Sequence, residues 1–282
     1  MDLSYMKPLL EQAAAEGKAL GSFTVWALDV CQAVVEAANL CKRPAILMAG
    51  KIEARYAGGV KNIVRLAKLA AENSDMPIAL HLDHAEEYGF IREAVDSGFT
   101  SVMIDASAKS FSENVERTGA VVEYAHRAGV TVEAELGRIG GVEGNIDVRD
   151  EDAFQTDPDE ARQFVEKTGI DALAVGIGSV HGVYPFPPNL NIPRLKNIRN
   201  ATAIPLVLHG GTGIPVEQIR ASIKNGISKI NVCTELLITY GQSMTKTQSA
   251  GGFRYSVPNL FAPSKQALKE LFCMRIGQFG RE

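Results

Sequence analysis

The stretch Pro77–His84 reads PIALHLDH, a short apolar run that ends in ionisable side chains. Strands that are apolar at nearly every position are typical of parallel sheets, because such strands are buried on both faces. Seven more runs of this kind recur along the chain, with longer amphipathic segments between them. The eight predicted strands are Ser22–Trp26, Ala45–Ala49, Pro77–Leu82, Ser101–Ile104, Val130–Leu136, Ala172–Ile177, Leu206–Leu208 and Lys229–Val232.

The segments between the runs have helical periodicity. In Val115–His126 the residues Val115, Gly119 and Val122 keep a spacing of three to four, and charged residues fill the other faces. Eight strands alternating with helices predict a (β/α)8 barrel (TIM barrel). A doubly wound open sheet is the alternative, but no G-x-G-x-x-G motif follows the first strand.

Length and charge limit the function further. The chain has 282 residues, 46% of them hydrophobic, and 29 Lys+Arg against 33 Asp+Glu. We expect one domain over residues 1–282, with residues 251–282 as a C-terminal loop and helix. A net charge of −4 without basic clusters argues against nucleic-acid binding. No apolar run reaches the roughly 18 residues of a membrane span, and the first residues do not resemble a signal peptide, so we expect a cytoplasmic protein.

Four of the five histidines follow predicted strands. His81 and His84 lie at the end of the third, His181 follows the sixth and His209 follows the seventh, whereas His126 lies on a helix. Active sites of such barrels lie at the carboxyl ends of the strands. Three imidazoles from separate strands form the open, three-ligand site of a catalytic divalent metal. The predicted ligands are therefore His84, His181 and His209.

Carboxylates are predicted at the same end of the barrel: Asp83, Asp105, Glu133, Glu135 and Glu143. Some are expected to fix histidine tautomers or to pair with Arg138. Asp83 adjoins a ligand, and Glu143 lies in a glycine-bracketed loop, residues 140–144, that we expect to move over the mouth. These two are the predicted proton-transfer groups. Strict alternation would direct Asp83 and His84 to opposite sides, so the strand is expected to end there.

The last two strands are followed by glycines and hydroxyls. His209-Gly210-Gly211-Thr212-Gly213 follows the seventh, and Asn231-Val232-Cys233-Thr234 follows the eighth. Loops at these two positions often bind phosphate in barrels. We predict a phosphate site there, with Asn231 bonding a substrate hydroxyl; simple tight turns are the alternative.

Six motifs, read together and in order, resemble the class II, metal-dependent ketose-bisphosphate aldolases, most closely the fructose- and tagatose-bisphosphate branch. They cover about residues 20–240 and are His81-Leu82-Asp83-His84, Ser101-Val102-Met103-Ile104-Asp105, Glu133-Ala134-Glu135-Leu136-Gly137-Arg138 with Gly140-Gly141, His181-Gly182, His209-Gly210-Gly211, and Asn231-Val232-Cys233-Thr234-Glu235.

The resemblance implies one catalytic Zn²⁺ per subunit on His84, His181 and His209, with Asp83 as catalytic acid/base. It also implies a small-molecule substrate, a phosphorylated ketose that is cleaved to dihydroxyacetone phosphate and an aldehyde. Asp105 and Glu135 match positions that contribute to a second cation site, and family members also use a monovalent cation, Na⁺ or K⁺. A homodimer or homotetramer is implied. The residues expected to hold dihydroxyacetone phosphate are Gly182, Gly210, Gly211, Thr212, Asn231, Val232, Cys233 and Thr234.

The chemistry agrees with these residues. Cleavage beside a ketone leaves a carbanion that must be held as an enediolate, and a Lewis-acid metal is the alternative to a Schiff-base lysine. Asp83 would take the proton from the C4 hydroxyl, and Glu143 would protonate the enediolate.

The chain departs from the family pattern in four places. Ser22-Phe23-Thr24 stands where the family has Ala-Phe-Asn, and Trp26-Ala27 replaces more polar residues. At the end of the second strand Gly50, next to Lys51, replaces the usual Ser or Thr. The positions where the family places a lysine and an arginine for the distal phosphate are Asn189 and Pro258. We therefore expect weaker preference for fructose 1,6-bisphosphate than in a glycolytic aldolase, and the same chemistry on a non-bisphosphate or acidic ketose phosphate is the alternative. Lys51, Arg55 or Arg254 would restore a charge for a differently placed phosphate, a carboxylate or another anionic group.

Two other functions remain open on sequence alone. One is the same fold as a noncatalytic partner subunit or sugar-phosphate sensor, although no expected ligand or acid/base residue is missing. The other is a metal-dependent epimerase or isomerase that reprotonates the enediolate without cleavage.

Overall fold

The computed structural model describes residues 2–143, 146–148, 154–184, 187–251 and 254–280. Eight parallel strands close into a barrel, which confirms the predicted fold. In spatial order they are β1 (Leu20–Thr24), β11 (Ile227–Val232), β10 (Leu206–Leu208), β8 (Ala172–Val175), β5 (Thr131–Leu136), β4 (Ser101–Ile104), β3 (Ile78–Ala85) and β2 (Ala45–Ala49).

Helices surround the barrel. In the helix Val60–Ala71 the buried residues Val60, Ile63, Val64 and Ala67 form one apolar stripe that packs on the strands. Within the described residues the helices are α1 (Met6–Ala15), α2 (Leu28–Cys41), α3 (Lys51–Tyr56), α4 (Val60–Ala71), α5 (Tyr88–Ser97), α6 (Phe111–Arg127), α7 (Pro158–Thr168), α8 (Ile192–Thr202), α9 (Val216–Lys224), α10 (Thr234–Ser249) and α11 (Val257–Gln278). None of these combines the length and apolar character needed to cross a membrane.

One end of the barrel is closed by α1. Met6 and Leu10 of this helix cluster with Leu20, Ile46 and Ala79, which lie at the amino ends of their strands. The barrel interior is therefore apolar at this end, and its polar residues lie toward the carboxyl ends of the strands. A polar site can therefore form at the carboxyl ends of the strands.

The C-terminal helix α11 packs on the outside of the barrel. The Phe272 ring lies 4.7 Å from the Phe23 ring of β1. The sequence predicts a terminal helix here, and α10 precedes it along the chain.

A second, three-stranded sheet lies at the mouth. It contains β6 (Gly140–Glu143), β7 (Ile146–Val148) and β9 (Val180–His181), in the order β7-β6-β9. Residues 140–143, expected to be a loop, are thus a strand that pairs with both neighbours. Gly141 explains the pairing, since it has φ +96° and a Cβ there would lie 2.2 Å from the carbonyl oxygen of His181. Periodicity alone does not detect such glycine-dependent pairing.

Candidate active site

A β-bulge in β3 brings Asp83 and His84 to the same side. The register with β4 shifts between Leu82 and Ala85, and His84 has φ +42°. The strand continues through the bulge to Ala85, so the expectation that it ends at His84 was wrong. An extra residue in the strand breaks strict alternation, and both side chains reach the mouth.

Three histidines from different strand ends meet beside this bulge. The ring centroids of His84 lie 4.6 Å from His209 and 5.0 Å from His181. One ligand atom from each of the three lies within 4.8 Å of the others. The structure thus brings together all three predicted ligands, whereas His126 lies on α6 and contacts Asp171.

Two carboxylates orient these imidazoles. Asp105 Oδ2 lies 2.7 Å from Nδ1 of His84, and Glu133 Oε1 lies 3.0 Å from Nε2 of His209. The remaining ring nitrogens, His84 Nε2 and His209 Nδ1, are 2.8 Å apart. Carboxylates commonly fix the tautomer of a metal-binding histidine in this way.

The electrostatics of the cluster fit a bound cation. Burial lowers the pKa of His181 well below its usual value, and His84 and His209 lower it further. Burial also lowers the pKa of His209. Burial would also lower the pKa of His84, but the carboxylates of Asp83 and Asp105 together have the larger effect and raise this pKa. His181 and His209 thus favour the neutral form that binds a metal, and the surroundings of His84 favour a positive charge, which a metal ion would supply in place of the proton.

Asp83 lies between the histidines and β11. Its Oδ1 accepts a hydrogen bond from Asn231 Nδ2 at 3.0 Å and lies 3.6 Å from His81 Nε2. Burial would raise the pKa of Asp83, but His84 and His81 hold it well below its usual range. The carboxylate is therefore ionised and able to accept a proton.

Glu135 lies beside the same cluster. His84, Asp105 and Glu135 form another group whose ligand atoms lie within 4.8 Å of one another. Glu135 Oε2 is buried and has no hydrogen-bond partner in the described part of the chain. Burial, together with Asp105, raises the pKa of Glu135 to about 8. Such a buried carboxylate is one that a nearby cation would stabilise.

Glu143 is the last residue of β6, and β6 pairs with the strand that contains His181. The Glu143 side chain lies outside the described residues, so its role stays a prediction.

The glycines after β9 and β10 have conformations that other residues rarely adopt. Gly182 has φ +85° and Gly210 has φ +67°. A Cβ on Gly210 would lie 2.2 Å from the carbonyl oxygen of Val180. These glycines allow the two loops to approach each other closely.

The loops after β10 and β11 are also joined. The Gly211 amide donates to the Asn231 carbonyl, and the Glu235 amide donates to Thr212 Oγ1. Thr234 is the first residue of α10, so the amino end of a 16-residue helix lies beside the glycine loop. Val232 is fully buried in the hydrophobic core.

A cavity of about 550 Å³ opens beside Asp83 and His84. Its lining includes the residues that depart from the family pattern at the first two strand ends, Thr24, Trp26, Gly50 and Lys51. Asn189 and Pro258 are exposed and do not line this cavity.

Sequence reasoning did not identify Lys229 or His81 as parts of the site. Lys229 is fully buried and pairs with Glu133, one of the carboxylates for which a histidine or Arg138 was the expected partner. His81 is also fully buried, with Nδ1 2.7 Å from Ser101 Oγ. The signal in the sequence for both residues was a lysine or a histidine within an apolar strand, at a position that faces the barrel interior.

Comparison with known proteins identifies the family. The model of the family described as "Fructose-bisphosphate aldolase class-II" matches residues 4–282. The fructose-bisphosphate aldolase of Geobacillus stearothermophilus is 44% identical and that of Staphylococcus aureus (strain N315) 42%, each alignment covering 99% of this chain and 98% of the relative. The crystal structure of the YdjI aldolase from Escherichia coli K12 superposes with a TM-score of 0.87 at 33% identity, covering 99% of this chain and 97% of that one.

The family is one of metal-dependent carbon–carbon lyases, so the binding-only and isomerase alternatives lose their support. Its match extends over nearly the whole chain and includes all the motifs that suggested the resemblance. The chain belongs to the class II fructose-bisphosphate aldolase family.

Proposed function

We propose that this protein cleaves a phosphorylated ketose, either a fructose- or tagatose-bisphosphate-like sugar or a ketose phosphate without the second phosphate, reversibly to dihydroxyacetone phosphate and an aldehyde. The observation that carries the proposal is the convergence of His84, His181 and His209 beside the ionised Asp83. The names of the curated relatives support the same reaction.

His84, His181 and His209 would hold one Zn²⁺ per subunit. Three imidazoles with an open coordination position suit a borderline ion such as zinc. The bound metal would polarise the ketone and stabilise the negative charge that develops when the carbon–carbon bond breaks.

Asp83 would accept the proton of the C4 hydroxyl during cleavage and return it during condensation. Asn231, which donates to Asp83 Oδ1, would hold the carboxylate in position. Glu143 would protonate the enediolate carbon to release dihydroxyacetone phosphate.

The phosphate of dihydroxyacetone phosphate would bind between the loops after β8, β10 and β11. The amino end of α10 attracts an anion, because its first amides have no partner within the helix. The residues proposed for this site are Gly182, Gly210, Gly211, Thr212, Asn231, Val232, Cys233 and Thr234. Since the Gly211 amide already donates to Asn231, its contribution would be close packing.

Asp105 and Glu135 would contribute to a second cation site, and a monovalent cation, Na⁺ or K⁺, would bind near the phosphate. The buried Oε2 of Glu135, which has no hydrogen-bond partner among the described residues, supports the first of these. We further propose a cytoplasmic homodimer or homotetramer in which residues 1–282 form one aldolase domain, with 251–282 as its C-terminal loop and helix.

A substrate panel with and without chelator tests the proposal. Formation of dihydroxyacetone phosphate from ketose phosphates should stop when the metal is removed and return with zinc or cobalt. Full activity of metal-free protein would refute the mechanism.

A further inference from the structure

The cavity beside Asp83 has an apolar rim. Ile52, Tyr56 and Leu237 line it, yet their side chains are 43%, 74% and 50% exposed. Trp26 and Phe90 continue this apolar surface into the cavity. Clustered exposed apolar side chains mark a surface that a ligand or a partner covers.

Positive charge is scarce at this surface. Among the described lining residues Lys51 is the only lysine or arginine, and its Nζ lies 2.8 Å from Glu87 Oε1. Four carboxylates line the same cavity, those of Glu53, Asp83, Glu86 and Glu87. A phosphate group needs charge-assisted donors to replace its hydration, and this lining offers mainly acceptors.

Trp26 is held in place by a neighbouring tyrosine. Its ring meets Tyr240 edge to face at 5.4 Å, and the Tyr240 hydroxyl donates to Asp29 Oδ2 at 3.0 Å. A rigid aromatic wall binds apolar carbon with little loss of conformational entropy.

From these observations, and resting on the function proposed above, we infer that this cavity receives the aldehyde half of the substrate and that this aldehyde is uncharged, with an apolar chain longer than a triose. The reacting end of the aldehyde would lie next to Asp83 and His84, since both residues also line the cavity. A volume of about 550 Å³ is within the range of pockets that hold whole small molecules.

The chemistry is that of the aldol reaction. In condensation, C3 of dihydroxyacetone phosphate loses a proton and bonds to the aldehyde carbonyl carbon, whose oxygen then takes a proton. Cleavage reverses each step. Neither direction involves a net oxidation or reduction.

Condensation of dihydroxyacetone phosphate by the zinc-loaded full chain tests this inference. The aldehydes are propanal, butanal, pentanal, glyceraldehyde 3-phosphate and succinic semialdehyde. We expect kcat/KM to rise by about fourfold for each methylene that becomes buried. Pentanal should exceed glyceraldehyde 3-phosphate by at least about tenfold, the effect of one missing charge-assisted contact. Equal or higher values for either anionic aldehyde would overturn the inference.

Proton exchange separates this inference from the proposed function. Incorporation of deuterium at C3 of dihydroxyacetone phosphate needs no aldehyde. If proton exchange occurs and the protein prefers an anionic aldehyde, only the inference is refuted. If neither exchange nor condensation occurs, the proposed function is refuted.

A pair of charge-adding variants locates the aldehyde. Leu237→Lys should lower kcat/KM for pentanal and raise it for glyceraldehyde 3-phosphate, each by about tenfold. Leu40→Lys is the control, because Leu40 is 67% exposed on α2 and does not line the cavity. Unchanged aldehyde selectivity in Leu237→Lys would overturn the inference. If aldehyde selectivity is unchanged and Leu237→Lys also loses self-association, the inference is overturned and the rim is a contact between copies of the chain.

Discussion

Lys229 and Glu133 form an ion pair inside the barrel, with Nζ 2.9 Å from Oε2 and both side chains fully buried. Glu133 Oε1 lies 3.0 Å from Nε2 of His209. Burial would raise the pKa of Glu133, but Lys229 and His81 together lower it to about 2. Lys229 therefore maintains the charge of the carboxylate that orients a proposed metal ligand.

Lys229→Met should destabilise the protein by about 3–5 kcal/mol, because it leaves Glu133 buried without its counter-charge. It should also weaken zinc binding by about 10- to 100-fold, the usual effect of disturbing a group that orients a ligand. Urea unfolding and competition with a chelator measure the two effects.

Arg162→Met is the matched control. Arg162 pairs with Glu166 at 3.2 Å, but these side chains are 45% and 61% exposed. Loss of such a surface pair should cost less than about 1 kcal/mol and should not change zinc affinity. Similar stability of the two variants would contradict the role assigned to the buried pair.

His181→Ala should remove the metal and leave the fold intact, since His181 lies at the mouth and not in the apolar core. Metal content by elemental analysis and the far-UV circular dichroism spectrum test this expectation. His126→Ala, which removes a histidine that contacts Asp171 on the outside of the barrel, should retain the metal. A His181→Ala protein that unfolds with its metal still bound would show that His181 is a structural residue.

Asp83→Asn should reduce cleavage by roughly 10² or more, the effect of losing a general acid/base. Zinc content should stay the same, because Asp83 is not a proposed ligand. Turnover of a ketose phosphate and metal analysis of the same sample provide the measurements. Normal turnover in this variant would exclude Asp83 from proton transfer.

Glu143→Ala should also lower turnover by roughly 10² or more, but at a different step. We expect slower proton exchange at C3 of dihydroxyacetone phosphate while cleavage of the carbon–carbon bond persists. The exchange is followed by NMR in deuterium oxide. An unchanged exchange rate would show that Glu143 takes no part in the reaction.

The barrel was predictable because hydrophobic runs report burial directly. The bounds of β2, β4 and β10 match the predicted ones, and the order of strands around the barrel follows from parallel connections. Convergence of His84, His181 and His209 then follows, since all three were placed at carboxyl ends of strands.

Other features depend on contacts that are distant in sequence. The bulge at Asp83 and His84 is set by the register with β4, and the strand character of Gly140–Glu143 is set by pairing with β7 and β9. The Lys229–Glu133 pair joins residues 96 positions apart. Periodicity has no information about such partners.

The pairing of β6 with β9 gives the last prediction. Gly141 has φ +96°, and an added Cβ would lie 2.2 Å from the carbonyl oxygen of His181. Gly141→Ala should therefore cost about 1–3 kcal/mol of stability through backbone strain. It should also weaken zinc binding, because β9 contains a proposed ligand. Gly119→Ala on α6 is the control, since its Cβ would meet nothing within 4 Å. That change should stabilise the protein by about 1 kcal/mol without altering zinc affinity, because alanine favours the helix. Urea unfolding measures the stability of the two variants, and chelator competition measures their zinc affinity. Equal zinc affinity in both would show that the three-stranded sheet does not affect the metal site.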